Sequence, residues 1–230
     1  TGPGATNMIT GVASAYENNV PMLVITAQTA ISTFGKGAIQ DSSCTGINTV
    51  GLYQHCTRYN TLISHPAQFE HKLSAAIMLA MGSPAGPAHI SVPRDVMAQQ
   101  ALVNCPSYSL DDLLNQPTLI DDNAVASLYK EIVRSKRPVF IIGDEACNAM
   151  PAILEVAAEI NAQILVTPHG KGLVSPYHPQ FKGVIGFAGH ISASRLLADP
   201  GVDLVVAIGA RFGEFSSREG SSIKARGLSH

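Results

Sequence analysis

The chain of 230 residues has no tryptophan, and only 14% of it is charged. Its 15 lysines and arginines stand against 17 aspartates and glutamates, a formal net charge of −2. With no basic stripe, the sequence excludes a surface built to neutralise nucleic-acid phosphates. Long apolar runs are missing as well. The longest lies near Val202 to Ile208, far short of the roughly 18 residues a membrane-crossing helix needs, and it reads as a buried strand. The chain does not open on a basic region followed by an apolar stretch, so no signal peptide is visible and a cytoplasmic location is expected. The four cysteines, Cys44, Cys56, Cys105 and Cys147, show no CxxC spacing and no histidine at metal-ligand spacing. They are expected to be reduced thiols, with no metal site made by this chain. GxGxxG is absent too, which removes the simple dinucleotide fingerprint.

What is present is apolar and periodic. Apolar residues make up 46% of the chain, enough for one large domain or two ordinary ones. The spacing predicts a helix over Ala5 to Asn18, with Ile9, Val12, Ala13 and Tyr16 on one face. A short β-rich run, Met22 to Thr26, suits a buried parallel strand. A loop follows to about Ser43, then a weaker strand near Thr57 to Ile63. A helix over Pro66 to Met81 carries Phe69, Leu73, Ala76, Ile77 and Ala80 as its stripe, and Ala88 to Val92 is the next strand. From about Met97 to Ile120 the pattern lapses, as in an interdomain connection. Asp121 or Asp122 then caps a helix to about Arg134. Strands over Pro138 to Gly143, Ala162 to Thr167 and Asp203 to Gly209 follow in a βαβ rhythm. A helix bearing Met150, Ile153, Leu154, Ala157 and Ile160 joins the first two. The expected fold class is α/β, with two parallel-sheet units. Residues 1–97 form the first, 98–120 the linker and 121–230 the second.

Two groups of residues invite a chemical reading. The first is "GPGATN" (Gly2 to Asn7) together with Gln40. Glycine lets backbone approach a flat ligand closely, and a helix start offers unpaired N–H groups. Proline and glycine at a helix start are equally ordinary punctuation. The second is the set of turns that end the three later strands: Gly143-Asp144, Pro168 to Gly172, and Gly209-Ala210-Arg211. In an open parallel sheet, ligands sit outside the carboxyl ends of the strands. Lys171 and Arg211 beside exposed glycine turns would suit an anionic nucleotide. Short βα turns that bind nothing also need glycine.

The blocks "TGPGATNMITGVASAYENNVPMLVITAQ", "GKGAIQD", "SPAGPAHISVPRDV", "HGKGLVSPYHP" and "VVAIGARF" occur in the order found in thiamine-diphosphate enzymes of the acetolactate synthase family. The chain resembles that family over nearly its whole length. The resemblance implies the back half of a pyrimidine-binding domain, a linker, and most of a Rossmann-like central domain, incomplete at its C-terminal end. Thr1 would then be an internal residue of a longer protein. The family's catalytic glutamate would lie upstream, and its diphosphate-and-magnesium motif downstream. Glu17 follows a helix rather than a strand end and does not take the glutamate's place.

By the same resemblance, Pro3, Gly4 and Asn7 match the turn near the aminopyrimidine end of the cofactor. Gln40 matches the glutamine of the family's "FQE", which faces the reacting centre; here Ile39 and Asp41 replace its neighbours. Arg94 matches a basic residue at the mouth of the substrate channel. Gly143, Lys171, Gly186, Gly189, His190, Gly209, Ala210 and Arg211 match the nucleotide side of the central domain, which holds FAD in acetolactate synthases and ADP or nothing in some relatives. Where the family reads "GARFDDR", this chain reads "GARFGEF" (Gly209 to Phe215). Phe215 replaces a channel arginine and Glu214 stands in for the second aspartate, which favours an ADP-type or empty site over FAD. The implied activity is a carboligase or decarboxylase of 2-keto acids, a transferase or lyase using thiamine diphosphate and Mg2+ as a homodimer or homotetramer. The implied small-molecule partner is a 2-keto acid. One alternative is a non-catalytic module for FAD, ADP or NAD, which has no need of "GPGATN" or "AIQD"; the other is a regulatory pseudo-enzyme that kept the fold, which a glutamate at an upstream strand end would distinguish from a live enzyme.

Overall fold

The computed structural model describes residues 1–100, 109–114, 119–217 and 228–229. The chain divides into two compact units, Thr1–Thr118 and Leu119–His230. Most of the stretch expected as a linker, with Cys105, lies outside the described residues.

The first unit opens on α1 (Pro3–Asn7) and α2 (Ile9–Glu17), two helices where the periodicity predicts one. Then come β1 (Met22–Gln28), α3 (Thr49–Tyr53), β2 (Tyr59–Leu62), α4 (Phe69–Met81), β3 (Pro87–Pro93), α5 (Arg94–Met97) and α6 (Leu110–Leu114). α6 falls within the expected linker and rests on α4. The three strands form a parallel sheet in the order β1-β3-β2. Ala88, Ile90 and Val92 of β3 pack with Ala76 and Ala80 of α4 into an apolar cluster. β1 departs from the expected buried strand. It lies at the sheet edge, with Leu23 40% and Ile25 53% exposed, because α4 centres on β3.

The opposite face of this sheet is buried yet polar. Thr26, Gln28, His89 and Ser91 are all at most 3% exposed. Buried polar groups cost free energy unless they are paired, and these are largely paired. The Thr26 hydroxyl lies 2.8 Å from His89 Nε2, and Asn60 Oδ1 lies 2.7 Å from His89 Nδ1. Because the Asn60 oxygen can only accept, Nδ1 carries the proton and Nε2 accepts from Thr26. The Tyr53 ring stacks on the imidazole at 4.1 Å. Burial pushes His89 from an ordinary 6.5 down to about 4, so it is neutral at physiological pH.

The second unit begins with α7 (Asp122–Arg134). The Asp121 carboxylate accepts from Asn123 N at 2.9 Å and Ala124 N at 3.2 Å, as the sequence predicts for a cap. β4 (Pro138–Ile142), α8 (Met150–Glu159), β5 (Gln163–Val166), β6 (Phe181–Val184), α9 (Ile191–Leu197), β7 (Leu204–Ile208), α10 (Glu214–Ser217) and β8 (Leu228–Ser229) follow. The sheet runs β6-β5-β4-β7-β8, parallel throughout. The three expected strands are its centre; β6 and β8 extend it. Phe140, Ile142, Ile164 and Val166 bury one face with α8 residues Ile153 and Ala157. Val139, Ile141, Leu165 and Val205 bury the other with α9 residues Ala193 and Leu196. Helices on both faces explain why these strands read as unbroken apolar runs. The fold is α/β, with two parallel-sheet units. No helix among the described residues is long and apolar enough to cross a membrane.

Candidate functional site

In the first unit the site is built at the carboxyl edge of the sheet. β1 ends at Gln28, opposite Pro93 at the end of β3, so Arg94 leaves from the same edge, with its side chain exposed. The neighbouring Asp95 accepts from Ile31 N at 3.0 Å and ties down the loop that leaves β1. That loop carries Gln40 back over the start of the chain. An added Cβ on Gly2 would meet Gln40 Cβ at 3.1 Å, so the turn and the glutamine are in contact. The Thr1 hydroxyl donates to Gln40 Oε1, and the Tyr53 hydroxyl donates to Ala5 O at 2.5 Å, anchoring α1 from beneath. The structure therefore gathers Gln40 with the turn that carries Pro3 and Gly4, both of which are exposed. Asn7 ends α1 and is also exposed. Nothing lies within 4 Å of where a Gly4 Cβ would be, so packing does not require a glycine there and a flat ring has room to approach.

Asp41, next to Gln40, accepts from Ser43 N at 2.9 Å and from Gly35 N at 3.1 Å. These backbone donors, Ser43 first, hold its carboxyl below the usual carboxylate value. Sequence reasoning missed two members of this group, Gln28 and Ser42, which are 2% and 1% exposed. The available signal was Gln28 itself, a long polar side chain that closes a β-rich run in step with Val24 and Thr26.

In the second unit the strand exits do converge, but the glycine turns are packed rather than exposed as expected. Gly143, Gly170 and Ala210 are buried. A Cβ on Gly143 would lie 2.0 Å from Gly209 O, and one on Gly209 would lie 2.4 Å from Ala146 N. The two turns are glycine because their backbones touch. Arg211 is already engaged by Asp144 at 3.0 Å and Glu145 at 3.9 Å, so an incoming phosphate would compete with two carboxylates. Lys171 is exposed in the turn after β5. Gly186 and Gly189 belong to a separate turn after β6, where Phe187 N donates to Phe215 O at 2.8 Å. Phe215 packs against Phe187 with ring centroids 5.3 Å apart. His190 caps α9, its Nδ1 accepting from Ser192 N at 3.3 Å.

Among the described residues no group of three or more His, Cys, Asp or Glu could hold a metal ion. Cys44, Cys56 and Cys147 are free thiols.

Comparison with known proteins places both units. Residues 1–47 match the thiamine pyrophosphate enzyme N-terminal TPP binding domain, and residues 125–226 match the thiamine pyrophosphate enzyme central domain. A Mycobacterium tuberculosis protein provisionally named acetolactate synthase large subunit IlvB2 is 30% identical over 99% of this chain and 42% of its own length. The Escherichia coli acetolactate synthase isozyme 1 large subunit is 28% identical over 92% of the chain and 36% of its own length. The Saccharomyces cerevisiae mitochondrial acetolactate synthase catalytic subunit is 30% identical over 92% and 31%. The chain thus spans less than half the length of these curated relatives. With two domain patterns of one family falling on its two structural units in order, the chain belongs to the thiamine pyrophosphate enzymes.

Proposed function

We propose that this chain works within a longer, cytoplasmic, oligomeric enzyme, a homodimer or homotetramer, that decarboxylates a 2-keto acid and joins the product to an acceptor, as an acetolactate synthase-like carboligase. The observation that carries the reading is the contact between Gln40 and the Gly2-Pro3-Gly4 turn. Residues 38 positions apart in the chain, Gly2 and Gln40, meet at a sheet edge with exposed polar groups and open space. Thiamine diphosphate, when bound, supplies the carbon nucleophile and the electron sink. Pro3, Gly4 and Asn7 would flank its ring end, while its diphosphate and Mg2+ would be held by residues outside this chain. Gln40 offers an amide that does not titrate. It can donate a hydrogen bond to a developing alkoxide without delivering a proton to carbon. Arg94 meets the substrate carboxylate at the mouth of the site. In the second unit the crevice at the strand exits is of ADP type or empty rather than a flavin site, supported by Phe215 in place of the channel arginine and by the engagement of Arg211.

The test is Gln40→Ala in the full-length polypeptide. It is expected to lower kcat for carboligation about 100-fold, at the low end of the range set by removing one donor from a developing oxyanion. Unchanged turnover would remove Gln40 from the site. The 230 residues purified alone are expected to release no CO2 from pyruvate and to show no flavin colour. Turnover in that preparation would contradict the placement of the diphosphate anchor, and a flavin spectrum would contradict the ADP-type crevice.

A further inference from the structure

The last side chain of β1 is almost wholly inside. Gln28 is 2% exposed, and its Oε1 accepts from Thr29 N at 2.9 Å, Thr29 Oγ1 at 3.3 Å and Ser42 N at 3.1 Å. The Ser42 bond closes the loop that leaves β1. Ser42, 1% exposed, passes the constraint on in two directions. Its hydroxyl accepts from Gly2 N at 3.1 Å and donates to Gln40 O at 3.0 Å. One buried amide oxygen therefore fixes a hydroxyl that holds both the backbone of Gln40 and the turn against which Gln40 lies.

Gln40 is in a conformation that needs holding. Its φ is +59°, the left-handed region, which costs a non-glycine residue on the order of 1 kcal/mol or more and persists only where the surroundings over-determine it. Packing does not demand this backbone, because Gln40 is exposed. What the conformation does is direct an exposed amide toward Thr1 and Gly2.

We propose that Gln28, acting through Ser42, is a positioning residue that sets the direction of the Gln40 side chain for the reaction. This rests on the reading of Gln40 as the residue facing the reacting centre. Neither Gln28 nor Ser42 touches substrate; both act through residue 40.

The experiment is a double-mutant cycle in the full-length polypeptide, with pyruvate as the probe. Gln28→Met keeps the side-chain volume and removes the acceptor. Ser42→Ala removes the bridging hydroxyl and leaves the bonds of Gln28 to Thr29 in place, so it reads the same coupling if Gln28→Met does not fold. Each is expected to lower kcat about tenfold and to leave KM within about twofold, the pattern of an interaction realised in the transition state. Placed in a Gln40→Ala background, each should cost less than about twofold more, because residues acting through one another are not additive. A merely structural role would give the same fold-loss in both backgrounds, and that result overturns the proposal. Wild-type turnover in Gln28→Met and Ser42→Ala, alongside a large loss in Gln40→Ala, also overturns it while leaving the role of Gln40 intact. Wild-type turnover in Gln40→Ala instead sinks the reading of Gln40, and the positioning role with it.

Discussion

Replacing Gly143 with alanine is expected to destabilise the second unit by about 3 kcal/mol or more, at the upper end of overpacking substitutions. The added methyl would lie 2.0 Å from Gly209 O and 2.5 Å from Ala210 Cα. Both obstacles are backbone, so no rotamer change relieves them. Gly143 N also donates to Ile208 O at 2.9 Å, and Glu145 N to Gly209 O at 3.2 Å, so retreat breaks the bonds that extend the β4–β7 pairing. For a unit of this size each kcal/mol moves the midpoint by roughly 4–8 °C, which predicts a fall of more than about 12 °C in thermal unfolding followed by circular dichroism. Gly11→Ala is the control. A Cβ there meets nothing within 4 Å on α2, and relief of glycine's chain entropy should raise stability by about 0.5–1 kcal/mol. Equal midpoints for Gly143→Ala and wild type would mean that the two strand exits do not touch.

The second large effect concerns pH. His89 is neutral in the fold with its pKa near 4, against 6.5 when solvated. A lowered folded value means that the unfolded chain takes the proton first as pH falls. Stability from this residue is thus complete above about pH 6.5 and is lost progressively down to about pH 4. The slope is about 1.4 kcal/mol per pH unit and the total about 3 kcal/mol. Asp41, Asp199 and Asp203 are held below their ordinary 3.8 by hydrogen bonds, the largest coming from Ser43, Gly201 and Ser135 respectively. What they contribute is lost at lower pH, outside the histidine window. Urea unfolding at pH 7, 6 and 5 should show the slope in the wild type. His89→Gln, which cannot titrate, should flatten it. The same slope in both proteins would clear His89 of the effect.

The sequence made the second unit easier to read than the first, for a physical reason. β4, β5 and β7 are buried on both faces, so Val, Ile and Leu run without interruption. The Asp121 cap and the α8 stripe are local signals that no tertiary contact overrides. β6 escaped because Lys182 and Gly183 interrupt its pattern, and Gly183 has a φ of +129°. α3 escaped because "TVGLY" is poor in helix formers, although Asn48 caps it by accepting from Gly51 N. In the first unit Met22 to Thr26 was legible as a short β-rich run suiting a buried strand. That its buried face would be the polar one, with Thr26 and Gln28 inside and Leu23 and Ile25 partly exposed, was not legible, because the partners of that face, Asn60, Ser42 and Tyr53, come from distant segments. The contact of Gln40 with Gly2 was suggested by resemblance rather than by any pattern in the residues. The mutual fit of Gly143 and Gly209 is likewise a fact of three dimensions.

The hydrogen-bonded row of Thr26, His89 and Asn60 crosses all three strands of the first sheet. An apolar face tolerates sliding by two residues, since one aliphatic side chain replaces another. This face does not. Moving β3 by two places would set Pro87 or Ser91 where the imidazole stands and leave Thr26 and Asn60 without their buried partner. A shift of one would turn the row onto the α4 side. The imidazole thus acts as an alignment pin that admits one pairing of the strands. The strand ends that carry Gln28, Pro93 and Arg94 finish level with one another because of a residue that lies outside the site.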